Sequence, residues 1–248
     1  MSGHSKWHSI KHKKAAIDAK RGKVFTKVIK ELQIASRLGG SDPDSNPRLR
    51  TAIQAAKDVN MPKDTMERAI KKGAGELEGN AFEEITYEGY APGAVAVMVM
   101  VTTDNRNRAA AEVRHIFNKY GGSMGQSGSV AYMFERKGII EAEDDSDDAV
   151  MEAAIEAGAE DVRSDDGYHE IVTEPDTVQE CREALESAGV KVTSSSVQMV
   201  ASTKVEVGPG EALKLAKFLG ILEDNDDVDD VYTNHTYSEE AQAVLEES

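Results

Sequence analysis

The chain has 248 residues, a formal net charge of −16 and an isoelectric point near 4.8, and its length allows one or two domains. Its single cysteine excludes a disulfide within the chain and fits a reducing compartment. The longest purely apolar run, residues 94–101, is too short to cross a bilayer, and the first thirty residues lack an apolar secretory segment. We therefore expect a soluble cytoplasmic protein with no membrane partner.

Charge is distributed unevenly along the chain. Residues 1–75 contain 17 Lys or Arg against 7 Asp or Glu, a net of +10, whereas residues 76–248 contain 12 against 38, a net of −26. The basic residues are densest between Gly3 and Lys30, where the only tryptophan, Trp7, also lies. A positive segment with a stackable ring attracts a phosphate backbone with accessible bases. A merely solubilising surface is the alternative.

The first part of the chain predicts three helices. Residues 1–20 have few apolar residues, so we expect an arm that becomes ordered on contact with a partner. From Lys20 to Gly39-Gly40, apolar residues recur at helical spacing, and the opposite face carries Lys23, Lys27, Lys30 and Arg37. Asn46-Pro47 begins a second helix, and Pro62 opens a third. We predict a basic helical domain over residues 1–79.

Beyond residue 80 the apolar pattern changes to one typical of strands. Between residues 135 and 201 the succession is strand, helix, strand, strand, helix, strand, which predicts a ferredoxin-like domain. The flanking segments supply a second such set, which includes a strand at Ser129–Phe134. We predict an α+β protein of three domains, with a discontinuous ferredoxin-like domain at 80–134 plus 202–248 and another inserted in it at 135–201. Two sequential domains are the alternative.

No motif predicts a catalytic, cofactor or metal site. The glycine-rich stretch 121–128 follows a helix and precedes a strand, the reverse of the order that a phosphate loop requires. The acidic run 223–230 lacks the glycine and glutamate of a calcium loop, and we expect a solvated acidic turn. His4, His8 and His12 are four residues apart, but no further ligand lies nearby. We expect no cofactor and no small-molecule substrate.

The candidate nucleic-acid-binding residues are cations of the first fifty positions together with Trp7. They are Lys6, Trp7, Lys11, Lys13, Lys14, Lys20, Arg21, Lys23, Lys27, Lys30, Arg48 and Arg50. Arg106 and Arg108 are secondary candidates, because they begin a helix in the acidic half. For these two, helix capping with surface charge is an equally good interpretation.

Ordered motifs along nearly the whole chain resemble those of the YebC family. They are Gly-His-Ser-Lys-Trp at 3–7, Lys-Arg-Gly-Lys at 20–23, Phe-Thr-Lys at 25–27, Asn-Pro-Arg-Leu-Arg at 46–50, Tyr-Glu-Gly-Tyr at 87–90, Asp-Asn-Arg-Asn-Arg at 104–108, Gly-Ser-Val-Ala-Tyr at 128–132 and Leu-Glu-Asp at 222–224. The resemblance implies a three-domain, crescent-like protein with a helical N-terminal domain. It also implies a function in gene expression, because members are usually labelled probable transcriptional regulators that bind DNA. Mitochondrial relatives are translational activators, and bacterial members have been assigned a role in helping ribosomes through proline runs.

Two hypotheses about the nucleic acid follow. The protein binds duplex DNA near promoters through Lys20–Arg37 and the preceding arm, or it binds ribosomal or transfer RNA as a ribosome-associated translation factor. The absence of an evident dimer motif and of a clean recognition helix counts against operator reading. A basic arm with one aromatic residue suits the unstacked bases of RNA. A metal-dependent or nucleotide-dependent enzyme is a third hypothesis, which the motif search disfavours.

Overall fold

The computed structural model describes residues 21–77, 82–144 and 146–247. Its first part is a bundle of three helices, α1 (Arg21–Gly39), α2 (Pro47–Asp58) and α3 (Lys63–Gly73), as the sequence predicts. The Asn46 side chain accepts a hydrogen bond from the Leu49 N–H at 3.0 Å, so it caps α2 ahead of proline at the first helical position. Leu32, Leu49 and Ala56 lie in the core between the helices and are fully buried.

Gly73 allows α3 to end directly against α1. A Cβ atom at this position would come within 2.2 Å of the Gln33 carbonyl oxygen. A side chain of any size would therefore separate the two helices, and glycine is required by this close backbone approach.

The inserted domain has the predicted ferredoxin-like order. Its elements are β4 (Phe134–Glu143), α5 (Asp147–Glu156), β5 (Asp161–Asp165), β6 (Tyr168–Thr173), α6 (Val178–Ser187) and β7 (Lys191–Ala201). The sheet order is β5-β6-β4-β7 with every neighbouring pair antiparallel. Ile140 and Ile171 of the sheet pack with Val150 of α5 and Leu185 of α6, so both helices cover one face.

The discontinuous domain also has two helices on one face of an antiparallel sheet. Its first two strands form a hairpin, whereas a helix separates the first two strands of the inserted domain. Its elements are β1 (Glu83–Ala91), a 3₁₀ turn (Pro92–Ala94), β2 (Val95–Thr103), α4 (Arg106–Lys119), β3 (Ser123–Met124), α7 (Pro209–Asp224) and β9 (Val228–Thr233). The sheet order is β3-β1-β2-β9. Val97 and Val99 of β2 pack in one cluster with Phe117 of α4 and Phe218 of α7.

The predicted strand at Ser129–Phe134 is wrong. Residues Ala131–Met133 form a 3₁₀ turn, and the two-residue strand β3 takes the edge position beside β1 instead. The buried Glu88 carboxylate accepts hydrogen bonds from the N–H groups of Gly128, Val130 and Ala131 at 2.7–2.9 Å. These donors cannot join a sheet ladder while they bind a carboxylate, so the segment curls around Glu88.

The chain closes with β8 (Val205–Val207), β10 (His235–Tyr237) and α8 (Glu239–Glu246). The short strand β8 pairs in parallel with β10 rather than with the four-stranded sheet. The second face of β2 packs through Ala96 and Met98 against Phe134 and Met199 of the inserted domain. The residue boundaries of the three domains stay a prediction. Within the described ranges, no helix is long and apolar enough to cross a membrane.

Candidate nucleic-acid interface

Much of the predicted binding segment lies outside the described residues. Arg21 and Lys23 fall in the first turn of α1. The candidates outside the described residues are Lys6, Trp7, Lys11, Lys13, Lys14 and Lys20, together with the three N-terminal histidines. The role of these residues in binding therefore stays a prediction from sequence.

Lys30 does not lie on an exposed basic face, and that part of the prediction is wrong. Its side chain is buried, with a residue exposure of 3 %, and its Nζ donates to the Asp226 carbonyl oxygen at 2.6 Å. The Asp227 and Asp229 carboxylates lie 3.8 and 4.0 Å away. Burial lowers the pKa of Lys30, and the two carboxylates oppose that effect. Lys27, one helical turn earlier, donates to the Asp229 carbonyl oxygen.

The acidic run 223–230 is only in part the solvated turn that the sequence predicts, because Glu223, Asp224, Asp226 and Asp230 are exposed whereas Asp227 is buried. Asp227 is 6 % exposed and accepts hydrogen bonds from Thr103 Oγ1 at 3.0 Å and from Arg108 Nη2 at 2.8 Å. Arg108 also contacts Asp104 at 3.2 Å, so it holds the turn in place rather than pointing freely outward. This turn, through Asp226, Asp227 and Asp229, is the site at which α1 docks on the discontinuous domain.

The other arginine candidates also have protein partners. Arg48 binds Glu31 and Glu84, each at 2.6 Å, and thereby joins the helical domain to β1. The hydrogen bond to Glu31 is the main reason that the pKa of Arg48 is raised. Arg50 donates to the Pro43 and Asp44 carbonyl oxygens at 2.7 and 2.9 Å. Arg106 is more available, because it is exposed and lies 3.9 Å from Glu83.

Phe82 provides a second docking point for the helical domain. Its carbonyl oxygen accepts a hydrogen bond from Arg37 at 2.6 Å. The ammonium groups of Lys30 and Lys72 lie 6.0 and 5.7 Å from the centre of its ring, within cation–π range. Several cations that give residues 1–75 their positive charge thus contact the body of the protein.

Other basic residues of the helical domain remain exposed, and the sequence analysis missed them. They are Lys57 at the end of α2 and Arg68 and Lys71 on α3. Arg68 and Lys71 are three residues apart and so lie on one face of their helix. Helical periodicity contained this signal, because the buried Ala69 fixes which face of α3 points inward.

The described residues contain no group of three or more His, Cys, Asp or Glu side chains placed to hold a metal ion. The glycine-rich loop has positive φ angles at Gly121 and Gly128, both 85°. These angles are typical of tight turns. The N–H group of Gly128, and those of Val130 and Ala131 just after the loop, already bind Glu88, so none of these three groups is presented to a phosphate.

Fold and charge together define a three-domain α+β protein whose positive charge is concentrated in a helical N-terminal part. A family model described as "TACO1/YebC protein N-terminal domain" matches residues 5–76. Another, described as "TACO1/YebC second and third domain", matches residues 82–235. The chain belongs to the TACO1/YebC family.

Relatives match over nearly the whole chain. A "Probable transcriptional regulatory protein" of Desulfosudis oleivorans is 55 % identical over 241 residues, which cover 96 % of this chain and 98 % of the relative. A protein of the same description from Sulfurihydrogenibium sp. is 55 % identical over 250 residues, covering 99 % and 100 %. The crystal structure of a conserved hypothetical protein from Aquifex aeolicus superposes with a TM-score of 0.82 at 52 % identity, covering 91 % of this chain and 94 % of that one.

Proposed function

We propose that this protein is a non-enzymatic regulator of gene expression that binds nucleic acid through its N-terminal segment, without a cofactor. The segregation of charge carries the proposal, with a net of +10 in residues 1–75 and −26 in the remainder. The acidic body repels phosphate, so it orients the protein with its N-terminal segment toward the nucleic acid. The relatives are named probable transcriptional regulatory proteins, and these names support a regulatory role.

Duplex DNA is the first candidate ligand, because it agrees with those names. RNA within the ribosome is the second, and the docking of α1 favours it. Lys27 and Lys30 of α1 contact the body of the protein, so this face of α1 is poorly placed to read bases in a major groove. Binding would then depend on the segment before α1, and a basic segment with Trp7 suits unstacked bases.

Charge reversal tests the binding segment. Lys11→Glu, Lys13→Glu and Lys14→Glu together should weaken binding to a 20-base-pair duplex and to an RNA hairpin by at least about 100-fold at 100 mM salt, as loss of several phosphate contacts implies. Fluorescence anisotropy of labelled nucleic acid measures the affinity. The matched control, with Arg136→Glu, Lys191→Glu and Lys204→Glu, has the same net charge and should change the affinity less than about threefold.

Salt dependence gives a second measure. If about six phosphates are neutralised, the logarithm of the association constant for duplex DNA should fall with the logarithm of salt concentration at a slope of about −5. A slope near zero for the unaltered protein would remove the electrostatic mechanism. Equal weakening by both triple variants would mean that overall charge, rather than the N-terminal segment, sets the affinity.

Sedimentation separates the two candidate ligands. Tagged protein with and without residues 1–20 is expressed in cells, and the lysates are run on sucrose gradients. A translation factor should travel with ribosomal particles only when the N-terminal residues are present. Protein that stays at the top of the gradient in both forms, but shifts promoter DNA in a gel, would instead be a transcriptional regulator.

A further inference from the structure

Two cations of the acidic body converge on Tyr120, at the C-terminal end of α4. The ammonium groups of Lys119 and Lys217 lie 5.4 and 5.8 Å from the centre of the Tyr120 ring. Several other cations of this half contact carboxylates, as Lys137, Arg163 and Lys191 do at 2.5–2.9 Å. For Lys119 and Lys217 no such ion pair is formed with a described residue. A local positive charge is thus kept within a strongly negative surface.

Of these three side chains, Tyr120 lines a cleft of about 530 Å³, and Lys119 and Lys217 lie next to the cleft through their contact with the Tyr120 ring. Its walls are the turn at 91–94, Tyr120 and Gly121 after α4, and Glu211 and Lys214 in the first turns of α7. Ala91, Pro92 and Ala94 give it an apolar part, and Lys214 is the lysine among its lining residues. Lys214 is paired with Glu211 at 3.0 Å. The volume lies in the range of small-ligand sites, about 300–1,000 Å³.

The groups in and beside the cleft indicate the chemical class of its ligand. Unneutralised ammonium groups favour a phosphate, and an apolar wall beside an aromatic residue favours a flat, weakly polar ring. A nucleotide combines both groups. Its base enters the cleft only when it is unpaired, since a paired base remains stacked inside its duplex.

We propose that this cleft is a second nucleic-acid contact, which takes one unpaired nucleotide of a single-stranded segment and holds its phosphate with Lys119 and Lys217. The proposal rests on the proposed function and extends it to a second surface, on the discontinuous domain. Glu211 weakens this contact, because its carboxylate occupies Lys214 and repels phosphate.

The test uses the full chain and a labelled 12-nucleotide oligouridine, with anisotropy measured from 100 to 400 mM salt. Lys119→Gln with Lys217→Gln should weaken binding about tenfold at 100 mM and make the salt slope shallower by about 1.4, as two lost contacts to a single strand imply. Arg136→Gln with Lys191→Gln is the control of equal charge and should leave the slope unchanged. A fully paired duplex should be much less affected by the first double variant.

Glu211→Gln provides a test in which oligouridine binding should become tighter rather than weaker. It should tighten oligouridine binding about threefold by releasing Lys214, whereas Glu152→Gln on the inserted domain should not. The second contact is refuted if the unaltered protein binds oligouridine and the Lys119/Lys217 variant behaves like its control. Equal affinity for 5′-UMP and oligouridine would also overturn it, in favour of a free-nucleotide site. Failure of the unaltered protein to bind any nucleic acid would instead refute the proposed function itself.

Discussion

His235, at the start of β10, is a partly buried histidine whose environment disfavours its charged form. Its Nδ1 is 2.6 Å from Thr233 Oγ1, and its ring meets that of Tyr237 edge to face at 4.7 Å. Burial lowers the pKa of His235 to about 4, from an ordinary value of 6.5. Below pH 6.5 the unfolded chain therefore binds a proton that the folded chain does not.

The free energy of unfolding should accordingly fall as the pH falls from 6.5 toward 4. The His235 contribution to this loss is about 2 kcal/mol at pH 5, because one pKa unit corresponds to about 1.36 kcal/mol. Urea unfolding of the unaltered protein and of His235→Gln, at pH 7.5 and 5.0, measures the difference. The variant should lose about 2 kcal/mol less than the unaltered protein between these two pH values.

The exposed His115 provides the control for this measurement. His115→Gln should retain the pH dependence of the unaltered protein, because the His115 side chain remains in contact with water in the folded protein. The free energy of unfolding of His235→Gln and of the unaltered protein could instead fall by the same amount between pH 7.5 and 5.0. His235 would then be protonated in the folded state, and its burial would not exclude the charged form.

At the scale of elements, α1 is held to the acidic turn by a buried lysine. Lys30→Met preserves most of the side-chain volume but leaves the Asp226 carbonyl oxygen without its donor and removes a cation from between two carboxylates. The free energy of unfolding should fall by about 1–3 kcal/mol, the usual cost of an unsatisfied buried polar group. Urea unfolding checks the change, and nucleic-acid affinity should stay within about twofold under conditions where the variant is folded.

Lys57→Met is the matched control, because Lys57 is an exposed lysine of the same helical domain. Its substitution should alter stability by less than about 0.5 kcal/mol. The opposite pattern would contradict the assignment: a Lys30 variant of unchanged stability that no longer binds nucleic acid would return Lys30 to the binding surface.

The elements that the sequence predicts well are those fixed by nearby residues. Helical periodicity and the Asn46-Pro47 cap locate α2, and alternation of strand and helix signals locates the inserted domain. The errors arise where a distant residue provides the partner. The sequence around Lys30 predicts a surface lysine, but in the folded protein Lys30 contacts a turn 196 positions away. The sequence of Ser129–Phe134 predicts a strand, but in the folded protein the Glu88 carboxylate, about forty positions earlier, accepts hydrogen bonds from its backbone N–H groups.

The candidate site divides in the same way. Composition alone indicates a basic segment and a phosphate partner, because charge is additive along the chain. Which cations face solvent depends on docking between domains, and Arg48 has no local signal of its contact with Glu84 on β1. Arg50, by contrast, donates to carbonyl oxygens only six and seven positions earlier. The α+β class and its helical N-terminal domain were therefore predictable, whereas the division of cations into docking and exposed groups was not.

At the scale of the whole molecule, the acidic body acts on nucleic acid at a distance. Electrostatic repulsion between exposed charges extends over about 30 Å at 10 mM salt and about 8 Å at 150 mM. The helix α5 on the inserted domain carries the exposed acids Asp148, Glu152 and Glu156, outside the proposed binding segment. These acids can therefore influence binding only when screening is weak.

Asp148→Asn, Glu152→Gln and Glu156→Gln together should tighten nucleic-acid binding about two- to fivefold at 10 mM salt and leave it nearly unchanged at 150 mM, since three remote charges are then screened. Anisotropy titrations at both salt concentrations measure the effect. Arg136→Gln, Lys191→Gln and Lys204→Gln, which remove cations from the same acidic half, should weaken binding at 10 mM only. Tightening by the α5 variant that persists at 150 mM would place the inserted domain in direct contact with nucleic acid.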